Sequence, residues 1–471
     1  MKRNIFVVIV LVLLVAFYSE KFFVLYSQEY SRFGVVVWPN EITCDYIEEL
    51  NAKTTFYTIM WGDVEPAQNK WRWESVDRAL ANAEACGLQL YIKLCTGYLP
   101  WATKSPIKKL KGQNPSCPPR NMEDYYDFVY TTVKYLKGKV WYFAIENEVN
   151  LAGAWQGTVK EYKELLKTAY KAVHDANPEA KVLDSGMSSL SYGPVIAREK
   201  YEKGKVHEAI DFYNHYFSHR GYSREDPSGV FVKNENELVQ IIYNENNIRN
   251  YEYIKENLKF PFYDIYQLHF YEEWDLLPEL LKWIKSKMQS NGYLKPIQAW
   301  EIGYAWTRNN YDIIDHALDT VKVIATAFGE GVEQIIYLPL LSLRAYFGYP
   351  EVWRGLYTPN LEPRPSAFNY KIISSKINNF SKVENLSFDN NTFIYKFTNR
   401  NRPIYICWSK NPSTINLEVN SKKVIITYST TNSEQTEPII EIKDTVKGKI
   451  ILNLNKIPIF IEVQKMAKKR K

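Results

Sequence analysis

Trp141-Tyr-Phe-Ala-Ile-Glu-Asn-Glu-Val-Asn150 runs through five residues that favour burial and then stops at two acids and two amides. An apolar, aromatic run of this length reads as a buried strand, and Glu146, Asn147 and Glu148 at its end place carboxylates where a cleft or cavity begins. Barrel enzymes present their chemistry in this way, at the C-terminal ends of strands. A second run of the same kind, Pro296-Ile-Gln-Ala-Trp-Glu301-Ile-Gly303, carries another acid near its end. The reading of the chain turns on whether Glu148 and Glu301 belong to one site.

On both sides of the first stretch, short β-rich runs alternate with longer amphipathic ones, the pattern of βα units around a parallel sheet. The runs fall at 33–38, 54–61, 88–94, 140–145, 181–185, 264–271, 296–300 and 334–340, eight in all, which is the number that closes a (β/α)8 TIM barrel. Between them, Glu74 to Ala85 places Val76, Ala79, Leu80 and Ala83 on one face and stops at Gly87. The stretch 158–177 carries Tyr162, Leu165, Leu166 and Ala169 inward before Pro178, and 275–288 repeats the scheme with Leu277, Leu280, Leu281 and Ile284.

Spacing shows where the barrel is decorated. Glu148 and Glu301 lie about 150 residues apart, whereas three average βα units take about 90, so something near 60 residues is inserted. The excess falls in the Tyr-, Asn- and charge-rich region 188–262, and a smaller Lys- and Pro-rich insertion spans 97–121. Insertions at βα loops are expected to wall the cleft. After Pro365 the helical period fades, and short strands separated by turn signals follow at 393–397, 403–408, 415–419, 423–428, 439–442, 449–454 and 459–463. The expected organisation is a signal peptide or signal anchor over 1–30, a (β/α)8 barrel over 31–375, a small all-β sandwich over 376–465 and a basic tail over 466–471.

Composition narrows the function classes. Hydrophobic residues at 46% and charged residues at 24% are ordinary for a globular protein, but 36 Tyr and 13 Trp are many, and such rings suit stacking on sugar faces as well as filling cores. The net charge of +6 sits at the two chain ends, which leaves the body near neutral and gives no support for nucleic-acid binding. Lys2 and Arg3, followed by an apolar run over 5–18, form the charged and hydrophobic regions of an export signal. No small-x-small site stands out after Ala16, so an uncleaved anchor extended by 22–26 is the alternative. The protein is expected to be secreted or held at the cell surface, touching a membrane only through that anchor. Five scattered cysteines, Cys44, Cys86, Cys95, Cys117 and Cys407, contain no Cys-x-x-Cys pair and suggest neither a zinc site nor a disulfide framework, leaving room for one bridge.

Two carboxylates on non-adjacent strands of one barrel are what retaining glycoside hydrolysis needs: one protonates the departing oxygen while the other attacks the anomeric carbon. Their surroundings must differ, since one has to hold a proton and the other a charge. Phe143-Ala-Ile-Glu-Asn147-Glu148-Val-Asn150-Leu followed by Trp155 resembles the strand-4 signature of the clan A glycoside hydrolases, in the Asn-Glu-x-Asn form of family 39 and its relatives. The resemblance implies Glu148 as acid/base and Glu301, ending strand 7, as nucleophile. It also implies His269 and Tyr271 at the end of strand 6 orienting the site, while Asn147, next to Glu148, offers an amide for the sugar 2-hydroxyl. Trp61 to Pro66, Pro100-Trp101 and the segment from Gly355 to Pro365 are similar to other clan passages. Three positions depart from the pattern: Val149 replaces the usual proline, Tyr57 stands where many members carry a strand-2 arginine, and strand 8 ends on Tyr337 instead of tryptophan. They leave the sugar unassigned.

Glu146 shares strand parity with Glu148 and is the competing acid. Trp101, Trp306 and Trp353 are candidate sugar platforms. No cofactor is expected, because protonation and carboxylate attack suffice. His215 and His219 have helical i, i+4 spacing but lack a recognisable third ligand, so no metal is expected either. The expected partner is an oligo- or polysaccharide. The reading from another class is a barrel that binds polysaccharide at the cell surface without cleaving it.

Overall fold

A computed structural model describes residues 31–37, 44–107, 115–220, 231–304, 311–341, 354–399, 402–432 and 437–463. The N-terminal segment, Trp306, Trp353 and the basic tail lie outside the described residues. Among the described residues no helix is long and apolar enough to cross a membrane.

Eight strands form one sheet: β1 (Phe33–Val35), β2 (Thr54–Met60), β3 (Gln89–Cys95), β4 (Tyr142–Ile145), β5 (Lys181–Leu183), β6 (Tyr266–Phe270), β7 (Ile297–Ile302) and β8 (Val332–Tyr337). Their spatial order is β5-β4-β3-β2-β1-β8-β7-β6, and every pairing is parallel. Parallel bridges from Leu183 to Ile265 and from Met187 to Leu268 bring β5 against β6 and close the barrel. Each expected strand run contains or overlaps one of these strands. The helices follow their expected signals closely, at Glu74–Ala85, Val159–Ala176 and Leu277–Ser290. Thr158 caps the second of these through Glu161 in a capping box.

Alternation along the strands builds two cores. Inward residues, among them Tyr91, Ala144, Leu183, Ile265, Trp300 and Ile336, fill the barrel interior, with Phe56 stacked on Trp300. Outward residues pack against the helices. One bridge is present, Cys44–Cys86, and it ties the helix Cys44–Glu49 to the end of the Glu74–Ala85 helix.

The last barrel helix, Pro365–Ile377, leads into β9 (Lys382–Asn385), β10 (Thr392–Asn399), β11 (Arg402–Ser409), β12 (Ser413–Glu418), β13 (Lys423–Tyr428), β14 (Ile440–Asp444), β15 (Lys449–Leu454) and β16 (Ile459–Val463). Six of them form an antiparallel sheet in the order β14-β13-β16-β11-β10-β9, faced by the β12-β15 pair. Period two divides β10 and β11: Ile394, Tyr405 and Cys407 point into the sandwich core, while Phe393, Tyr395, Phe397, Ile404 and Trp408 join the core of the barrel. Trp408 stacks on Phe393 at 5.4 Å and meets Trp274 edge-on at 5.2 Å. Lys410 pairs with Asp275 at 2.5 Å beside them. The sandwich is therefore fused to the barrel through a continuous apolar interface.

Trp408 is fully buried in that interface, and Trp408→Ala is expected to cost about 3–5 kcal/mol. Because the core is shared, urea unfolding followed by fluorescence and by far-UV circular dichroism should shift as one transition. A variant whose barrel signal keeps the wild-type midpoint while the sandwich melts early would contradict the shared core.

Candidate active site

The site forms where β3, β4, β6 and β7 end. β4 stops at Ile145, and the next three residues make a turn in which Glu146 (φ +66°) and Glu148 (φ +45°) both adopt left-handed backbone. Such conformations cost on the order of 1–3 kcal/mol each for residues other than glycine and persist only where the surroundings impose them. Here the Glu146 N–H donates to the Leu94 carbonyl (2.9 Å), and the Glu148 N–H is shared between the carbonyls of Ser185 and Gly186 (3.1 Å each). The turn separates the two acids. Glu146 is buried and accepts from the Thr96 N–H at 2.8 Å; burial raises its carboxyl to about 7 in spite of the hydrogen bonds from Ser116 and Thr96. Glu148 instead reaches His269.

β7 brings Glu301 to the same place through an irregularity. Gln267 pairs with Gln298 and His269 with Glu301, so β7 uses one residue more than β6 over that interval. Trp300 remains in the barrel interior, and Glu301 turns to the mouth. The nearest donor atoms of Glu148, His269 and Glu301 all lie within 4.8 Å of one another. His269 Nδ1 stands 3.1 Å from Glu148 Oε1 and 3.6 Å from Glu301 Oε2. The Tyr271 hydroxyl donates to Glu301 Oε2 at 2.8 Å. Burial and the neighbouring Glu301 push the Tyr271 phenol well up, which keeps it an O–H donor.

Lys93 completes the cluster, and the sequence reading did not single it out. Its side chain is 2% exposed, lies over the Phe56 ring at 4.3 Å, and donates to Glu301 Oε1 (2.5 Å) and Asn147 Oδ1 (2.7 Å). Burial alone would raise the Glu301 carboxyl, but His269, Lys93 and Tyr271 outweigh it and hold the group well below the usual carboxylate range. Two carboxylates and an imidazole this close could hold a cation. The Lys93 ammonium already occupies one face of Glu301 and supplies positive charge there.

Beneath the pair, Asp184 accepts from the Gln267 backbone N–H (2.5 Å) and from Asn257 Nδ2 (2.7 Å), and Gln267 Nε2 donates to the Asp184 carbonyl (2.7 Å). That contact turns the Gln267 amide oxygen toward His269 Nε2, 3.4 Å away. Gly186 (φ +61°) lies against the ring: a Cβ there would come within 2.3 Å of His269 Nε2, so only glycine admits the imidazole.

Of the residues singled out in the sequence, Glu148, Glu301, Asn147, His269 and Tyr271 come together. Trp101 packs edge-on against buried Trp61 (5.5 Å). His215 and His219 do not converge; they approach Asp275 (3.4 Å) and Glu272 (2.9 Å) separately. Tyr57 turns outward to Ser75 on the Glu74–Ala85 helix, while Phe56 faces the interior. The positive group beside Glu301 thus comes from strand 3. A lysine between Ile92 and Leu94, in the parity of the inward Tyr91, was the one available signal for it.

No protein-family model and no curated protein matches the chain. Solved structures do match its fold. A family 39 glycoside hydrolase from the gut symbiont Bacteroides cellulosilyticus WH2 aligns with a TM-score of 0.59 at 17% identity, covering 92% of this chain and 81% of that one. A family 39 β-xylosidase from Caulobacter crescentus gives 0.57 at 14% identity over 93% and 97% of the two chains. A family 30 endoxylanase from Clostridium papyrosolvens C71 gives 0.55 at 13% identity with the same coverages. The chain has the fold of the family 39 and family 30 glycoside hydrolases, in keeping with the clan A, family 39-like resemblance of its strand-4 passage.

Removing the lysine tests the electrostatics directly. Lys93→Met withdraws a positive charge from a partly buried carboxylate, so the charged form loses support and the Glu301 pKa should rise by about one to three units. Carboxyl-carbon NMR on glutamate-labelled protein reads the change. An unshifted Glu301 resonance would mean that Lys93 does not govern its ionisation.

Proposed function

We propose that the protein is a retaining β-glycosidase acting on oligo- or polysaccharide, with Glu148 as acid/base and Glu301 as nucleophile. The single observation that carries this reading is the close, unequal pair: carboxylate oxygens within 4.8 Å, one of them, on Glu301, held ionised by Lys93, His269 and Tyr271. Retaining enzymes place their carboxyl groups about 5 to 5.5 Å apart, whereas inverting ones leave about 6.5 to 9.5 Å for a water. The short spacing favours direct attack.

In the first step a Glu301 oxygen bonds to the anomeric carbon as the glycosidic C–O bond breaks, and the Glu148 proton passes to the departing oxygen. In the second, Glu148, now a carboxylate, takes a proton from water whose oxygen attacks the anomeric carbon and releases Glu301. The Asn147 oxygen is engaged by Lys93, which leaves its NH2 to reach the sugar 2-hydroxyl. His269 and Tyr271 orient the two carboxylates, and no cofactor enters either step.

Among the solved structures that share the fold, one is a β-xylosidase and one an endoxylanase, so aryl β-xylosides head the substrate panel. Export is part of the proposal: the Cys44–Cys86 bridge suits an oxidising compartment, in keeping with the apolar N-terminal run. Two intact carboxylates in one cluster weigh against a barrel that only binds polysaccharide.

The wild type is expected to release aryl alcohol from at least one β-glycoside with retention at the anomeric carbon. Glu301→Gln should abolish turnover, and Glu148→Gln should lose about 10²–10⁴-fold on substrates with poor leaving groups. Full activity in Glu301→Gln sinks the assignment of the nucleophile. Retention of the protein on a polysaccharide gel with no reducing sugar released would favour the binding-only reading.

A further inference from the structure

The region 188–262, expected as a wall of the cleft, contributes one helix whose buried face carries polar side chains beside the apolar Ile254 and Leu258. Along Glu245–Lys259, the residues Arg249, Tyr253 and Asn257 recur at intervals of four, with Asn250 beside the first, and all four side chains turn toward the active-site strands. Arg249 makes a fourfold clamp on the segment that follows Glu148. Its Nε donates to the Asn150 carbonyl (2.9 Å), its Nη2 to those of Val149 and Trp155 (2.9 Å each), and its Nη1 to that of Gly157 (3.4 Å). Tyr253 adds a hydrogen bond from its hydroxyl to the Gly157 carbonyl (2.8 Å) and lies under the guanidinium at 4.4 Å. Asn250 Oδ1 accepts from Asn150 Nδ2 (2.9 Å), whose own Oδ1 accepts from the Ser188 N–H (3.2 Å). One turn further along, Asn257 binds Asp184, the carboxyl that fixes Gln267 beneath His269.

We propose that this helix is the positioning element of the site, with Arg249 as the positioning residue that holds Glu148 in its left-handed turn. The inference rests on the reading of Glu148 as acid/base. Its physical basis is independent of that reading. The carbonyls of Val149, Asn150, Trp155 and Gly157 all accept from this one side chain, and a planar guanidinium with its several N–H donors can hold them at once. Without the clamp, the residues after Glu148 lose the framework that offsets the cost of a positive φ at position 148. The carboxyl is then free to leave its place beside His269. An ammonium, a point donor, cannot reproduce the fork.

The experiment compares Arg249→Ala and Arg249→Lys with Lys255→Ala, a variant of an exposed lysine on the same helix. Hydrogen exchange should show the amides of 146–157 opening on the order of tenfold faster in both arginine variants, while β7 and Lys255→Ala stay at wild-type rates. On phenyl β-glycosides, whose departure needs a proton, kcat/KM should fall on the order of tenfold to a hundredfold. On dinitrophenyl glycosides, which leave unaided, it should change little. That split is one that general loosening of the fold does not produce. Unchanged exchange in both variants, or equal losses on the two leaving groups, overturns the proposal. If the wild type cleaves no glycoside, the proposed function fails, and the exchange comparison alone decides whether Arg249 holds the turn.

Discussion

The ion pair between Lys93 and Glu301 is the contact around which the barrel mouth is arranged. A carboxylate withdrawn from water is costly unless it is paired and hydrogen-bonded, and an ammonium in the same position carries the same cost. Each therefore needs the other, and both need a fixed geometry. The barrel supplies it: Lys93 rises from the middle of β3 over the Phe56 ring, and the irregularity in β7 turns Glu301 to meet it. Below them the interior is closed by Tyr91, Tyr142 and Trp300, whose rings pack at 4.5–5.1 Å. This aromatic floor excludes water from one side of the pair and so strengthens the attraction. Because the ammonium also binds Asn147, one cation ties the ends of β4 and β7 together.

A second constraint acts on the other carboxylate. Two residues of left-handed backbone flank Asn147, and neither is glycine. The cost of that turn is met by contacts from outside β4: the carbonyls of Ser185 and Gly186 on the N–H of Glu148, and the Arg249 fork on the carbonyls that follow. Gly186 has two duties, since the same residue that accepts from Glu148 also leaves room for the His269 ring. Rigidity around Glu301 comes from charge. Around Glu148 it comes from backbone hydrogen bonds.

The barrel was legible because its strands are buried on both faces and read as continuous apolar runs, and because its helices carry ordinary apolar stripes and stop signals. The acids at positions 148 and 301 were legible as charges that end such runs. β9 was not, since Lys382–Asn385 has two charged residues in four and no buried position. The Cys44–Cys86 bridge could not be chosen from five scattered cysteines, because pairing depends on proximity in the fold. The fusion of sandwich and barrel was hidden for a related reason: β10 and β11 are buried on both faces, and a sequence run does not say what covers the second one. Lys93 and the Glu245–Lys259 helix escaped notice because pattern reading assigns polar residues to solvent. In this protein a buried strand carries a lysine, and a helix turns Arg249, Asn250 and Asn257 inward.

Glu146 and Glu148 make the limits of that reading concrete. They are the same residue type, two positions apart, at the end of the same strand, and strand parity sends both to one face. The structure separates them by bending the chain between them. Glu146 then meets the Thr96 N–H in a dry pocket, where burial raises its carboxyl to about 7 and its oxygen is committed to holding β3 against β4. Glu148 keeps a partially exposed carboxyl beside His269, facing Glu301. What distinguishes the two acids is which groups meet their oxygens, and that is decided by residues far away in the chain: Thr96 for one, His269 for the other.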